Sequence, residues 1–285
     1  MRRDQPHRGT AGMLRRFPLR WPGGPGGALG GAAGTLYVIF IGLPVVALLA
    51  RAAQQDDLWS AVTGDLALTA LRLSVVTSLI SIAVVIVGGT PIAYILARSN
   101  HWLARVVDGL VELPIVLPPV VAGVAMLMAF GRDGLVGGLL RDAGADISFT
   151  TTAVVFAQIF VAAPFYVRSA KLGFQSVALD YEEVSQTLGM SPLATFRRVT
   201  LPLAAPAIIT GLGLSWARAL SEFGATMMFA GNLLGETQTM PLAIMTAMET
   251  DLDSALALSA LLLAVSVLAL AALTLASRRR WTGRV

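Results

Sequence analysis

Apolar residues in this chain come in long runs rather than in alternation or in narrow stripes. Six runs stand out, at about 33–50, 66–97, 109–130, 151–170, 203–230 and 254–276. A helix needs roughly 20 apolar residues to cross the hydrocarbon core of a bilayer. The pattern therefore predicts an all-α membrane protein with six transmembrane helices. The first run is short and is interrupted by Pro44. The second and fifth are long enough to tilt, kink or extend beyond the lipid. Pro114, Pro118 and Pro119 in the third run predict a broken or kinked span, because each proline removes a backbone donor and crowds the preceding turn. Gly123, Gly131, Gly211 and Gly213 leave room for close helix approach.

Charge sharpens this picture. Only 13% of the 285 residues are charged, against about 25% in soluble domains. The mean hydropathy is +0.73. The cations sit between the runs and alternate from loop to loop. Arg2, Arg3, Arg8, Arg15, Arg16 and Arg20 precede the first run. Arg98 and Arg105 follow the second, Arg168, Lys171, Arg197 and Arg198 lie around the fourth loop, and Arg278, Arg279, Arg280 and Arg284 end the chain. The alternate loops hold only Arg51, Arg132 and Arg141, and the stretch from Gly231 to Asp253 has no Lys or Arg. Cationic loops stay in the cytoplasm, so both termini are expected there. The expected organisation is a disordered N-terminal tail over residues 1–34, a six-helix transmembrane domain over 35–276 and a cytoplasmic tail over 277–285. Residues 22–34 read as a flexible linker because they are rich in Gly and Pro. Ala50-Arg51-Ala52 loosely resembles a signal cleavage site, but the long preceding tail and Pro44 favour a retained helix.

Composition also excludes chemistry. There is no cysteine, so disulfides and thiolate metal sites are out. The two histidines, His7 and His101, lie in polar, Arg-containing stretches outside the runs. No metal, no cofactor and no catalytic residue is expected. The basic balance is explained by orientation in a membrane rather than by nucleic acid. Lys171 is the only lysine, with Ala170 before it and Leu172 after. It cannot belong to a Gly-Lys-Ser/Thr phosphate-binding loop. An intramembrane enzyme would need a Ser/His, paired-Asp or zinc constellation inside the runs. A transporter driven by an ion gradient would not need the fourth loop described next.

That loop, Ser176 to Pro202, reads SVALDYEEVSQTLGMSPLATFRRVTLP. A plain connector needs only a few residues. Asp180 with Glu183 three residues on suggests a capping box. Tyr181, Val184, Ser185 and Leu188 recur at helical spacing, and Gly189 suits a left-handed C-terminal cap. Ser191-Pro192 fits the N-cap and first position of a second short helix. That helix is expected to stop at Thr200, ahead of Leu201-Pro202. The residues also resemble the EAA signature of ABC importer permeases: Glu183-Val184-Ser185, three residues, Gly189, nine residues, then Val199-Thr200-Leu201-Pro202. Val and Ser stand where that signature has Ala-Ala. The resemblance implies a MetI-like importer permease fold with cytoplasmic coupling helices between spans 4 and 5. It also implies that Glu182, Glu183, Val184, Ser185, Leu188, Gly189, Leu201 and Pro202 couple the chain to a separate ATPase. A helix lying on the lipid surface is the plainer alternative, but such helices carry basic residues along their polar face, and residues 180–189 have none.

From Thr35 to Ala276 the chain is similar to the molybdate branch of oxyanion permeases. The resemblance is carried by Glu112-Leu113-Pro114-Ile115-Val116-Leu117-Pro118-Pro119, by Arg218 to Thr226, by Phe229-Ala230-Gly231-Asn232 and by Thr237 to Ile244. It implies transport of molybdate or tungstate, with sulfate, thiosulfate or another oxyanion as the alternative. Implied partners are an ABC ATPase subunit, an extracytoplasmic oxyanion-binding protein, a second copy of the chain and membrane lipid; nucleic acid is not among them. A dianion path should offer hydroxyl and amide donors with few fixed cations. Ser215, Ser221, Thr226, Asn232, Thr237, Gln238 and Thr239 supply such groups, although for any one of them a helix-to-helix hydrogen bond is the more common role. Arg218 and Glu222, spaced i, i+4 inside a run, read as a structural ion pair, with contact to the anion as the alternative.

Overall fold

The computed structural model describes residues 25–144 and 146–281. The described residues are helical, without strands. The chain divides after Leu49 into two units, each described by itself. The first contains most of α1, Pro25–Ala53. Its helix covers residues 25–34, so this part of the Gly/Pro-rich stretch is helix rather than linker. Ala28, Leu29, Ala32 and Ala33 between the glycines supply the helix propensity, and glycine is common in membrane helices. Residues 1–24 of the expected tail lie outside the described residues.

The second unit holds the remaining elements. These are α2 (Leu58–Thr63), α3 (Asp65–Arg98), α4 (Trp102–Val116), α5 (Pro119–Phe130), α6 (Gly137–Asp142), α7 (Thr151–Gln175), α8 (Leu179–Thr187), α9 (Pro192–Thr195), α10 (Leu201–Leu220), α11 (Gly224–Ala230), α12 (Met240–Thr250) and α13 (Leu252–Trp281). Five helical stretches are long and apolar enough to cross a membrane: residues 28–53 of α1, α3, α7, residues 192–220, and residues 252–272 of α13. The third run forms two helices, α4 and α5. Leu117 and Pro118 between them have extended backbone, and Pro119 starts the new helix. The fifth run breaks after Leu220 and resumes as α11. The final helix reaches Trp281, so residues 277–281 of the expected tail are helical; residues 282–285 lie outside the described residues.

At the centre, α7 packs along both α3 and α10. One apolar cluster joins their ends through Tyr166, Phe174, Val85, Leu96 and Ala204. A second joins α5, α7 and α11 through Met126, Val154 and Phe229. A third joins α3, α12 and α13 through Ala70, Met240 and Leu258. Small residues set the distances. A methyl group on Gly123 would stand 2.7 Å from the Met228 Cβ and 2.8 Å from the Ala225 carbonyl oxygen, so α5 meets α11 where no side chain fits.

A polar seam runs through this apolar packing. Ser74, Thr77, Ser78 and Ser81 line one face of α3 and are buried. The Ser74 hydroxyl accepts the Met240 N–H at 2.7 Å, and the Ser78 hydroxyl accepts the Trp216 indole N–H at 3.0 Å. Gln158 donates to Thr77 at 3.2 Å and accepts from Ser81 at 3.0 Å. The seam thus ties α3 to α7, α10 and the start of α12. The sequence reading did not single it out, although S-x-x-T-S-x-x-S in an apolar run carries the signal of one helical face.

Candidate functional site

The segment after α7 forms an elbow. Helix α8 starts from Ala178, whose backbone is extended and which offers no side-chain cap. Asp180 is therefore the second helical residue, not the cap, and the expected capping box does not form. Asp180 and Glu182 still lie in the first turn, where negative charge is favourable. The elbow turns at Gly189, whose φ of +86° is the left-handed conformation that glycine adopts without Cβ strain. Ser191 caps α9, its hydroxyl accepting the Ala194 N–H at 3.3 Å, and Pro192 takes the first helical position.

The second helix does not stop at Thr200. Residues 196–200 form a single π-turn, in which the Leu201 N–H donates to the Phe196 carbonyl, and the chain continues into α10. Pro202 sits in the first turn of α10, where a residue without an N–H is tolerated.

The faces of α8 differ in kind. Tyr181, Val184 and Leu188 are 60%, 58% and 78% exposed, and Leu193 on α9 is 65% exposed. Glu183 is exposed beside them. Ser185, grouped by spacing with the apolar residues, faces inward. Its hydroxyl shares a 2.9 Å hydrogen bond with Thr195 and donates to the Met190 sulfur at 3.0 Å. Glu182 is buried too. Its Oε1 accepts from Arg98 Nη2 at 2.5 Å and from Thr200 at 2.9 Å, and its Oε2 accepts from Tyr94 at 3.1 Å. Burial alone would push this carboxyl up. The hydrogen bonds from Arg98, Thr200 and Tyr94, together with the Arg98 charge, outweigh burial and hold it below the usual carboxylate range. Arg98, Tyr94 and Thr200 were not among the coupling residues that the resemblance implied. Leu201 and Pro202 are half-buried at the head of α10.

The polar residues proposed from sequence for a path are scattered in role. Ser215 is buried and donates to the Ala162 carbonyl at 2.8 Å, a helix-to-helix tie. Thr237 is buried and accepts the Leu233 N–H at 2.9 Å. Asn232 donates to Thr246 at 2.9 Å, and Ser221, exposed, donates within its own turn to the Arg218 carbonyl. Thr226, Gln238 and Thr239 are buried, each with a side-chain oxygen that has no hydrogen-bond partner. Arg218 and Glu222 lie 2.7 Å apart at the break between α10 and α11. Far along the chain, Asp251 accepts from the Asp253 and Ser254 N–H groups and the Ser254 hydroxyl at the head of α13. Among the described residues, no group of three or more His, Asp or Glu side chains could hold a metal ion.

Comparison with known proteins agrees with this architecture. Residues 89–282 match the family described as binding-protein-dependent transport system inner membrane component. The chain is 45% identical over 229 residues to the molybdenum transport system permease protein ModB of Mycobacterium tuberculosis, covering 80% of this chain and 86% of that protein. It is 36% identical over 200 residues to a probable sulfate transport system permease protein of Helicosporidium, covering 69% and 73%. Among solved structures, a bacterial ABC transporter that imports the acidic polysaccharide alginate superposes with a TM-score of 0.70 at 17% identity, covering 88% of this chain and 94% of that one. The chain therefore belongs to the binding-protein-dependent transport system inner membrane component family.

Proposed function

We propose that this chain is the permease subunit of an ABC importer that carries molybdate, or the nearly isosteric tungstate, across the inner membrane. The observation that carries this reading is sequence identity: the molybdenum permease is 45% identical to this chain, against 36% for the sulfate permease. A sulfate or thiosulfate importer is the second reading, supported by that same sulfate relative.

In this reading both termini and the α7–α10 elbow face the cytoplasm, as the arginine distribution favours. The elbow docks on a separate ATPase. Tyr181, Val184, Leu188 and Leu193 form the apolar part of the docking surface, and Glu183 adds a charge beside them. Gly189 lets the elbow turn tightly enough to fit a groove. The chain works as a homodimer, because one permease with one elbow supplies half of a two-fold pathway. The opposite side presents the cation-free segment Gly231–Asp253, which includes α12, with Glu236, Glu249, Asp251 and Asp253. A bare dianion is repelled there, so an extracytoplasmic binding protein delivers it and presents Lys or Arg to these carboxylates.

The test is reconstitution with the ATPase. The purified complex should have the mass of two permeases and two ATPases. Uptake of labelled molybdate should need both ATP and the binding protein, and binding-protein association should weaken with salt. A transport-competent complex with a single permease, or uptake without the binding protein, would contradict the reading.

A further inference from the structure

Two adjacent carboxylates on α8 have opposite surroundings. Glu183 is exposed with the docking face, whereas Glu182 points back into the molecule and is held by three side chains from two elements. Arg98 is the last residue of α3 and reaches two places at once: Glu182 on α8, and the Val177 carbonyl in the link from α7 to α8 at 3.2 Å. Thr200 brings in the π-turn at the head of α10. Around this polar knot Tyr94, Phe174 and Phe196 stack edge to face or tilted, with centroids 5.1–5.8 Å apart, so α3, α7 and the elbow share one aromatic contact.

The knot lies one turn beyond a weak point in α3. Pro91 lies inside that helix and removes one backbone hydrogen bond without ending the helix. Thr90 beside it donates to the Ile86 carbonyl at 2.6 Å and meets the Tyr166 hydroxyl at 2.7 Å. Beyond Pro91, the last turns of α3 remain helical and are tied to α8 through the Tyr94 and Arg98 side chains, both of which reach Glu182.

We propose that Glu182 and Arg98 are positioning residues that clamp α8 to the last turns of α3, so that movement of the elbow by the ATPase swings this end of α3 about Pro91 and reaches the membrane helices. The proposal rests on the importer reading above. Glu183 and the apolar residues hold the ATPase; Glu182 converts that grip into motion. The π-turn suits this role, since a helix widened at Thr200 yields more readily than a regular one.

The readout that separates positioning from simple stability is the number of anions moved per ATP hydrolysed in assembled, reconstituted complex. A brace that only stabilises would change the yield of complex and leave this ratio alone. Glu182→Gln and Arg98→Gln should each lower the ratio about tenfold, a typical coupling energy expressed as a factor. The exchange Arg98→Glu with Glu182→Arg should recover part of it. A wild-type ratio in either single variant overturns the proposal. If neither single variant assembles, Arg98→Lys is read instead. It keeps the charge but cannot reach Glu182 and Val177 together, so its ratio should fall below wild type, and an unchanged ratio overturns the proposal. Wild-type complex that moves no oxyanion while hydrolysing ATP fails the importer reading itself, a result distinct from a variant that couples as well as wild type.

Discussion

Arg218 and Glu222 face each other across the break between α10 and α11, 2.7 Å apart, with the glutamate side chain fully buried and the arginine side chain 29% exposed. The other glutamate oxygen accepts the Ala225 N–H at 2.7 Å, so one carboxylate balances the arginine and caps the start of α11.

The two partners should therefore respond unequally to mutation. Arg218→Leu strands a buried carboxylate and should cost about 3 kcal/mol. Glu222→Gln keeps an acceptor for Ala225 and leaves an arginine that is 29% exposed rather than fully buried, so it should cost less. The double change should recover most of the loss in Arg218→Leu. Thermal unfolding of the purified protein in detergent measures all three. If the double variant is as unstable as Arg218→Leu alone, the pair is not structural, and contact with the anion gains weight.

At the elbow, Gly189→Ala meets no neighbour, since the space around its Cβ is open. Its cost is the left-handed backbone, about 1 kcal/mol. Gly189→Asn should cost less, because Asn tolerates that conformation. A thermal melt that ranks Ala as the less damaging of the two would contradict the turn geometry.

Leu188→Ala and Val184→Ala remove exposed apolar surface and should leave the melting temperature of the isolated permease within the range of ordinary surface changes, about ±0.5 kcal/mol. They should weaken association with the ATPase, measured by co-purification. Unchanged association in the double variant would remove α8 as the docking face.

The Glu182 carboxyl is held low, so its contribution follows the depressed-carboxylate sign. It is fully present above the unfolded value near 4.5 and is lost as the pH falls through the folded value below that. The difference in stability between wild type and Glu182→Gln should thus be constant from pH 8 to about pH 5 and should shrink only on further acidification. A difference that disappears near neutral pH would contradict the network around Glu182.

What could be read along the chain follows from how local each cause is. Gly189 and the Ser191-Pro192 cap were legible because a turn and a cap depend on a few consecutive residues. The broken third span was legible because Pro118 and Pro119 act on their own backbone. The roles of Glu182 and Glu183 were not, because neighbours on a helix point about 100° apart, and partners distant in sequence, Arg98 84 positions earlier and Thr200 18 later, mark which one is buried. The expected stop at Thr200 failed because a proline is tolerated in a first helical turn, and a π-turn lets one helix pass into the next. The seam of Ser74, Thr77, Ser78 and Ser81 escaped notice because hydropathy averages small hydroxyl residues into an apolar run. Ser215, proposed for a path, proved to be tied to Ala162, a partner 53 positions away that no spacing reveals.

The most direct measurement is competition for labelled molybdate uptake by proteoliposomes containing the permease, its ATPase and its binding protein. Tungstate at equal concentration should suppress uptake strongly, while sulfate in the same amount should leave it nearly unchanged. Sulfate suppressing uptake as well as tungstate would contradict the assignment and place the chain with the sulfate importers.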